Sequence, residues 1–279
     1  MRIAVTGSKG QLGRTLLRQL QAEEVLGLDI PEHDITDLMA LDATLARFRP
    51  NVVIHCAAMT DVDGCERDPD AAYRLNVLGS RNVAVCAERV GAAIVAISTD
   101  YVFDGSQSEP YRETDEAHPL SVYGRTKWLG EETVRHLCPR HYIVRVAWLY
   151  DAGPRNFIAT VLRLADQRDH VQMVTDEIGS PTYAHDVALA LDQLIRLPAY
   201  GTYHLPNAGI CSRYEWAAEI LRLAGRSDDL RLEPSEHYPR LARVPKRVEM
   251  RNVNGAEIGI TMRPWQEALA ARFRDAGDA

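Results

Sequence analysis

The stretch "VTGSKGQLG", residues Val5–Gly13, places three glycines between an apolar run and an amphipathic run of the chain. Glycines in such a place let the backbone turn sharply and approach a pyrophosphate, whose negative charge suits the N-terminus of a following helix. The spacing of Gly7, Gly10 and Gly13 is G-x-x-G-x-x-G, one residue longer in its first gap than the usual dinucleotide-binding fingerprint. Glycine-rich turns also occur for packing alone, but this one opens a β-α-β unit at the start of the chain. We therefore interpret it as a dinucleotide-binding turn.

Short apolar runs alternate with amphipathic stretches over the first half of the chain: "RIAVTG", "EVLGLD", "NVVIHCAA", "AAIVAIST" and "HYIVRVAWLY". The runs have the length of buried strands, and the stretches between them show helical spacing, as with Leu12, Leu16 and Leu20. Strands that alternate with helices predict an α/β fold with a Rossmann-like, doubly wound parallel sheet over residues 1–150. Right-handed crossovers would then bring the C-terminal ends of all the strands to one edge of the sheet.

The rhythm loosens after Tyr150. Residues 151–181 and 206–279 contain further helical stretches, such as "YEWAAEILRLAG" and "PWQEALAARF", joined by a connection that contains Pro and Arg. We predict that these two segments form a smaller, partly interleaved C-terminal substrate domain. The helix-like "AHDVALALDQLIRL" and the strand-like "GTYHLPN" lie between them, and about residues 182–205 are therefore expected to return to the first domain.

The composition is that of an ordinary globular protein of 279 residues, with 46% hydrophobic residues, 25% charged residues and a net charge of −7. The lack of a basic block argues against nucleic acid or an anionic membrane as a partner, and no apolar run approaches the roughly 18 residues of a membrane span. The chain enters a strand at once, and we therefore expect no signal peptide. The five cysteines are scattered and form no C-x-x-C, so we expect reduced thiols, no zinc site and a cytoplasmic location.

Acidic, basic and small residues accompany the second and third strands. Asp29 ends the second apolar run, where a carboxylate can accept hydrogen bonds from an adenosine ribose and favour NAD over NADP. Lys9 and Arg14 are close enough in sequence to meet a 2′-phosphate instead, so the sequence leaves NADPH and NADH both open as the cofactor. The third run ends in "HCAA", residues 55–58, whose small side chains would let a cofactor lie across the sheet edge or serve helix packing.

Two motifs place reactive side chains at the same edge. "SVYGRTK" holds Tyr123 and Lys127 four residues apart, on one face of a helix. An ammonium group lowers the pKa of a neighbouring phenol towards the working range of an acid-base catalyst, although a Y-x-x-x-K pair can also be an ordinary exposed pair. "STDYVFDG" leaves the fourth strand, so that Thr99 can hydrogen-bond a substrate carbonyl beside Tyr123. Asp100 and Tyr101 would then reach a polar substrate such as a sugar.

The glycine motif, "STDYVFDG" and "SVYGRTK" together resemble the extended short-chain dehydrogenase/reductases, and more closely their family of dTDP-4-dehydrorhamnose reductases. The resemblance spans essentially the whole chain, since "DITD", "RVAWLY", "DEIGSPTY" and "MRPWQEAL" also follow in the expected order. It implies an oxidoreductase that uses NADPH or NADH to reduce the 4-keto group of dTDP-4-dehydro-6-deoxy-L-mannose to dTDP-L-rhamnose. The hydride would come from the nicotinamide and the proton from Tyr123.

The resemblance also implies roles for individual positions. Thr99, Tyr123 and Lys127 would be the catalytic residues. The residues implied for cofactor binding are Gly7, Gly10, Gln11, Leu12, Gly13, Asp29, Asp34, Ile35, Ala57, Ala58, Met59, Tyr123 and Lys127. The residues implied for substrate binding are Thr99, Asp100, Trp148 and Asn156. Arg240, Arg243 and Arg247 would hold the dTDP part together with the region of Asn156, or they form a solvated face.

Some members of the family form dimers through a magnesium ion that acidic side chains hold, one of them on the first helix. Arg14, Thr15 and Leu16 offer no carboxylate there. We therefore predict no structural metal and keep a homodimer as an expectation.

Two other functions stay open at this point. One is a sugar-nucleotide epimerase or dehydratase, although Tyr101 stands where a dehydratase needs an acid. The other is a regulatory subunit of methionine adenosyltransferase type, which would bind the cofactor without turnover. The intact set of Thr99, Tyr123 and Lys127 argues against a purely regulatory role.

Overall fold

The computed structural model describes residues 1–154 and 156–277. Its strands, in chain order, are β1 (Arg2–Thr6), β2 (Glu24–Leu28), β3 (Val52–His55), β4 (Ala93–Thr99), β5 (His141–Val146), β6 (Leu149–Tyr150), β7 (His170–Val174), β8 (Ile178–Gly179), β9 (Thr182–Tyr183), β10 (Gly201–His204), β11 (Cys211–Ser212) and β12 (Arg231–Ser235). Its helices are α1 (Gln11–Gln19), α2 (Leu38–Phe48), α3 (Val62–Arg67), α4 (Pro69–Tyr73), α5 (Ser80–Arg89), α6 (Val122–Leu137), α7 (Phe157–Gln167), α8 (Ala184–Leu194), α9 (Arg213–Leu223), α10 (Asn254–Glu257) and α11 (Trp265–Gly277). A π-helical turn (Arg74–Gly79) joins α4 to α5, and a 3-10 turn (Asp100–Val102) follows β4.

The central sheet has six strands in the order β10-β5-β4-β3-β1-β2, and every neighbouring pair is parallel. Helices cover both faces: α1 packs on α8 on one side, and α5 packs on α2 and α6 on the other. The strands read as continuous apolar runs because both of their faces are buried. The predicted Rossmann-like, doubly wound parallel sheet is thus confirmed. Its strand order changes direction between β1 and β3, which is where such sheets bind ligands.

The chain returns to this sheet after leaving it. β10 extends the sheet beside β5, with Gly201 opposite Tyr142 and His204 opposite Arg145. A separate apolar core lies among α7, α9 and α11, where Trp216 packs with Tyr150 and other buried residues. We propose the same division that the sequence suggests, a sheet domain over residues 1–150 and about 182–205, and a substrate domain from the remainder.

The predicted fifth strand, 141–150, breaks into two pieces. β5 ends at Val146, and Trp148 adopts a positive φ of 44°. That left-handed conformation turns the chain, because few non-glycine residues adopt it within a regular strand. β6 then pairs with β9 outside the central sheet. The connection between α9 and α11, for which the sequence predicted no element, contains β12 paired with β7.

Within residues 1–154 and 156–277, no helix combines the length and the apolar character that a membrane crossing needs. In the same residues, no group of three or more His, Cys, Asp or Glu side chains is placed to hold a metal ion. All five cysteines are free thiols, and only Cys56 among them is partly exposed.

A buried ion pair joins α6 to β5. The Arg145 side chain donates through Nε to Oε1 of Glu131 at 3.0 Å and through Nη2 to Oε2 at 2.7 Å. Both residues are almost completely buried. Burial alone would raise the pKa of Glu131, but the guanidinium of Arg145 holds that pKa below its usual value. The paired geometry therefore keeps Glu131 ionised inside the protein and fixes α6 against the sheet.

Removal of one charge from this pair should destabilise the fold strongly. Glu131→Gln keeps the side-chain shape but leaves the buried guanidinium of Arg145 without its counter-charge, and we expect a loss of about 3–5 kcal/mol in urea unfolding. The neighbouring Glu132→Gln is the control, because half-exposed Glu132 pairs with Arg135, which also bonds Glu131, and its loss should cost under about 1 kcal/mol. Similar losses for the two variants would contradict this role of the pair.

Candidate active site

A cleft of about 630 Å³ lies at the edge where the parallel strands end. It is lined by most of the residues that the sequence singled out: Gly7, Gly10, Gln11, Leu12, Gly13, Asp29, Asp34, Ile35, Ala57, Ala58, Thr99, Asp100, Tyr123, Lys127 and Trp148. Met59 and Asn156 are not among the lining residues. One continuous cleft therefore contains both the glycine turn and the residues expected to do the chemistry.

The glycine turn is packed too closely for side chains. A Cβ atom on Gly13 would lie 2.2 Å from the carbonyl oxygen of Gly7, and one on Gly7 would lie 2.7 Å from the backbone nitrogen of Ala57. Gly7 also has a positive φ of 67°, which favours glycine. Helix α1 begins at this turn without a side-chain cap and without an acidic residue in its first turn. Its first backbone N–H groups are thus suited to the oxygens of a pyrophosphate, so the turn fits the group that the sequence predicted.

The end of the cleft expected to hold the adenosine contains an acidic residue, Asp29, and a basic residue, Lys9. The Asp29 carboxylate accepts hydrogen bonds from the backbone N–H of Lys9 at 2.7 Å and from that of Ile30 at 2.8 Å. It thereby ties the glycine turn to the end of β2. The Lys9 ammonium donates to the Ile30 carbonyl at 2.8 Å and to Glu32 at 3.0 Å. A cofactor ribose at this end would meet both the carboxylate of Asp29 and the ammonium of Lys9.

The start of α6 brings Tyr123 and Lys127 to the end of β4. The hydroxyl of Ser121 caps the helix by accepting from the N–H of Gly124 at 3.1 Å. A Cβ on Gly124 would lie 2.2 Å from the carbonyl oxygen of Tyr101, so a glycine is needed where the helix approaches the turn after β4. The ring of Tyr101 packs edge-on against that of Tyr123, with centroids 5.4 Å apart. This packing fixes the Tyr123 ring beside the strand end.

Hydrogen bonds hold Thr99 and Lys127, the two other residues that the sequence assigned to catalysis. The Thr99 hydroxyl donates to Oδ1 of Asp100 at 2.9 Å and accepts from the N–H of Tyr101 at 3.2 Å. The Lys127 ammonium donates to the carbonyl of Ile97 on β4 at 2.7 Å. All three side chains that the sequence assigned to catalysis thus meet at the carboxyl end of one strand, two of them from the helix and one from the strand.

Burial sets the proton affinities at this end of the cleft. It raises the pKa of Tyr123 well above its ordinary value, against an opposing effect of the Thr99 hydroxyl. The lowering of this pKa that the sequence led us to expect from Lys127 is therefore not found, because burial of the phenol outweighs it. It lowers the pKa of Lys127 to about 8 and raises that of Asp100 to about 6. Near neutral pH, Tyr123 therefore keeps its proton and Lys127 keeps most of its positive charge. A protonated phenol in a cleft that also contains the Lys127 cation is suited to donate a proton to a developing alkoxide.

Two predicted binding residues lie outside the cleft lining. The backbone N–H of Met59 donates to Oδ1 of Asn76 at 2.8 Å, and its side chain packs in the cluster around Tyr123. Asn156 caps α7, where its Oδ1 accepts from the N–H of Ala159 at 3.0 Å and its amide nitrogen donates to backbone carbonyls. Asn and Asp are favoured at helix N-caps, which explains this residue type without a ligand. The binding roles of both residues stay predictions.

The arginines predicted to hold the dTDP part also lie apart from the cleft lining. Arg240 is paired with Glu177 at 2.9 Å, and Arg247 is paired with Glu249 at 3.0 Å. Arg243 is exposed. Their role in nucleotide binding stays a prediction.

Sequence reasoning missed a buried polar chain beneath the cleft. Nδ1 of His55 lies 2.7 Å from the Thr6 hydroxyl and its Nε2 lies 3.0 Å from that of Ser80. The Ser80 hydroxyl donates to the carbonyl of Asn76, whose amide also donates to Thr126 on α6. Burial lowers the pKa of His55 to about 3, so the ring is neutral at ordinary pH. The signal available in the sequence is a histidine at the end of the apolar run "NVVIH".

A second missed residue, Arg213, lines the cleft at its substrate end. Its guanidinium carbon lies 3.5 Å from the centre of the Trp148 ring system. Trp148 also contacts Gly179 closely, since a Cβ on that glycine would lie 2.7 Å from Cε2 of the indole. Trp148, the residue predicted to contact the sugar, therefore packs against Gly179 of β8 and also contacts the guanidinium of Arg213.

A tyrosine and a lysine one helical turn apart, buried at the ligand-binding edge of a Rossmann-like sheet, define the class of the short-chain dehydrogenase/reductases. Within that class, a family model described as "RmlD substrate binding domain" matches residues 1–277, and the chain belongs to this family. The resemblance stated from the sequence is thereby confirmed.

Proteins of several bacteria are similar to this chain over its full length. The spore coat polysaccharide biosynthesis protein SpsK of Bacillus subtilis (strain 168) is 38% identical over 280 residues, which cover 100% of this chain and 99% of SpsK. A crystal structure of a dTDP-4-dehydrorhamnose reductase from Clostridium acetobutylicum ATCC 824 is 43% identical, with a TM-score of 0.94 and 100% coverage of both chains. A dTDP-4-dehydrorhamnose reductase from Bacillus anthracis str. Ames, solved in complex with NADP, is 37% identical, with a TM-score of 0.94 and coverage of 98% of this chain and 99% of that one.

The glycine turn gives a graded test of the cofactor end. Gly13→Ala would place its Cβ 2.2 Å from the Gly7 carbonyl, whereas Gly10→Ala would place its Cβ at 3.1 Å from the same atom. We expect thermal unfolding without added cofactor to show a large loss of stability for Gly13→Ala and a small one for Gly10→Ala, since only the first forces the backbone apart. Equal melting temperatures for the two variants would contradict the packing described for this turn.

Proposed function

We propose that this protein reduces the 4-keto group of dTDP-4-dehydro-6-deoxy-L-mannose to dTDP-L-rhamnose, with NADPH or NADH as the hydride donor. The observation that carries the proposal is the meeting of Thr99, Tyr123 and Lys127 with the glycine turn in one cleft. Two similar solved structures bear the name dTDP-4-dehydrorhamnose reductase, and one of them contains NADP. Both the family and the site chemistry therefore favour a reductase over the epimerase, dehydratase and regulatory alternatives.

The cleft supplies what a nicotinamide dinucleotide needs. When bound, that cofactor delivers a hydride to the carbonyl carbon of the substrate. The backbone of the glycine turn and the start of α1 would hold its pyrophosphate. Asp29 and Lys9 would stand at its adenosine ribose, while Ala57 and Ala58 leave room for it along the end of β3. Lys127 would reach the second ribose from the helix that also carries Tyr123.

Three side chains would handle the carbonyl oxygen of the sugar. The Thr99 hydroxyl, whose single proton goes to Asp100 in the absence of substrate, would turn that proton to the carbonyl oxygen and so orient the keto group. As negative charge develops there, the phenol of Tyr123 transfers its proton to the oxygen and becomes a phenolate. The ammonium of Lys127 stabilises that phenolate through its positive charge, and a proton from solvent then restores the phenol. The high pKa that burial imposes on Tyr123 ensures that the proton is present when the reaction begins.

The proposal extends to the partners of the protein and to the location of the reaction. A nucleotide sugar as the small-molecule substrate fits the family. A cytoplasmic location and a homodimer are part of the proposal on the basis of the sequence. Neither nucleic acid nor a membrane surface is needed by the chemistry.

The decisive assay follows NADPH and NADH oxidation at 340 nm with dTDP-4-dehydro-6-deoxy-L-mannose, generated in place by a dehydratase and an epimerase. We expect rapid oxidation and formation of dTDP-L-rhamnose, because the cleft provides the proton donor and the cofactor site together. The two cofactors are compared in the same experiment. Absence of oxidation from protein that binds NADPH would refute the proposed reaction while leaving the cofactor site intact.

Tyr123→Phe tests the assigned proton donor. Loss of the phenol should reduce turnover by at least the 100- to 10,000-fold that general acid catalysis commonly contributes, while NADPH still binds because the ring and its packing are retained. The companion variant Tyr101→Phe leaves Tyr123 in place and removes only the hydroxyl of the ring that packs against it. If Tyr123→Phe turns over at a near-normal rate, another group donates the proton.

A further inference from the structure

Arg213 is fixed at the substrate end of the cleft by the elements on either side of it. It is the first residue of α9, after Ser212, which caps that helix together with Glu215. β11, just before it, pairs with β8, and the N–H of Arg213 donates to the carbonyl of Glu177 at 3.2 Å. The backbone of Arg213 is therefore held in place, and its side chain is only 18% exposed.

The guanidinium of Arg213 is held in position, but its hydrogen-bond donors are not occupied by acceptors in the part of the chain that the structure describes. Its guanidinium carbon lies over Trp148, 3.5 Å from the ring centre, which is a cation–π contact. Its nearest described carboxylate contact is Oε2 of Glu177 at 3.8 Å from Nε, beyond hydrogen-bond distance. Among residues 1–154 and 156–277, its side chain donates no hydrogen bond, although a guanidinium carries five N–H donors.

The neighbouring charges do not take these donors. Glu177 is bound at closer range by Arg240, whose Nη2 lies 2.9 Å from Oε1. Asp100 also lines this part of the cleft, but its carboxylate accepts the Thr99 hydroxyl at 2.9 Å. The largest influence on the Arg213 pKa is burial, which lowers it. A largely buried cation with open donors is stabilised by an anion that enters the cleft.

The other cations of the cleft are engaged elsewhere. Lys9 pairs with Glu32 at the adenosine end, and Lys127 donates to the Ile97 carbonyl beside Tyr123. In a pyranose ring C1 lies opposite C4, so a sugar whose C4 carbonyl lies between Thr99 and Tyr123 turns its C1 substituent away from them. That substituent in a nucleotide sugar is the diphosphate.

We propose that Arg213 determines substrate specificity by donating hydrogen bonds to the diphosphate of the nucleotide sugar, with Trp148 holding the guanidinium plane in position. This inference rests on the proposed function. The planar fork of arginine matches phosphate oxygens in pairs, and a stacked fork loses little freedom when it binds them. Arg213 thus recognises the nucleotide half of the substrate. The indole of Trp148 contributes to this recognition by holding the guanidinium in position.

The test measures the binding of dTDP and of thymidine to the full chain, followed by KM for the nucleotide sugar. In Arg213→Gln, we expect the Kd of dTDP to rise about 10- to 100-fold, the effect of losing charge-assisted hydrogen bonds. The Kd of thymidine, which lacks the diphosphate, and that of NADPH should stay unchanged. Arg213→Lys keeps the charge but loses the planar fork, and should fall between Arg213→Gln and the native protein. Added salt should weaken dTDP binding to the native protein more than to Arg213→Gln.

Arg222→Gln is the matched control, because Arg222 lies on the same helix, is 63% exposed and pairs with Glu219. It should leave all of these constants unchanged. Equal weakening of dTDP and thymidine in Arg213→Gln would overturn the inference, since it would show that Arg213 only shapes the site around Trp148. An unchanged dTDP affinity with a raised KM would overturn it in favour of a contact to the sugar. Failure of the native protein both to bind dTDP and to oxidise NADPH would instead remove the proposed function.

Discussion

The buried pair of Glu131 and Arg145 is the contact on which the geometry of the active site depends. Tyr123, Lys127 and Glu131 follow one another at intervals of four residues, so they share one face of α6. The helix face that presents Tyr123 and Lys127 to the cleft therefore also carries Glu131, which binds the helix to β5. Arg145 stands opposite Ser98 in the sheet, next to Thr99. A single interaction between α6 and β5 thus sets the position of two of the side chains that we propose as catalytic relative to the third, and its specific geometry compensates for the cost of burying two charges.

Close backbone contacts at two glycines also fix the positions of α6 and α1. Gly124 allows the first turn of α6 to touch the carbonyl of Tyr101, and Gly13 allows α1 to touch the carbonyl of Gly7. In both places a helix begins against the turn that follows a strand, where a side chain would push the two apart. The two helix starts and the strand ends consequently face one cleft. Rigid backbone contacts at its floor suit a reaction that depends on holding donor and acceptor in one orientation.

Much of this arrangement was predictable from the sequence, and the reason is that its signals are local. The apolar runs indicated the parallel sheet, and the spacing of Tyr123 and Lys127 indicated a shared helix face. What could not be predicted depends on residues distant in sequence. The positive φ of Trp148, which divides the fifth strand, follows from how β6 meets β9 rather than from the residues around it. At Asn156 the local signal itself is ambiguous, since an asparagine before a helix fits a ligand contact and an N-cap equally well.

The two halves of the cleft are consequently built in different ways. The cofactor half uses backbone groups and glycines within the first few residues, so its sequence motif and its structure coincide. The substrate half is assembled from side chains on separate segments, where Arg213 on α9 reaches Trp148 after β5 and lies near Glu177 before β8. Each of these segments can change without disturbing the sheet, because side chains carried by connecting segments vary more freely than a packed core does. A fold of this kind can therefore keep its hydride and proton chemistry while a few distant residues set which sugar nucleotide it accepts.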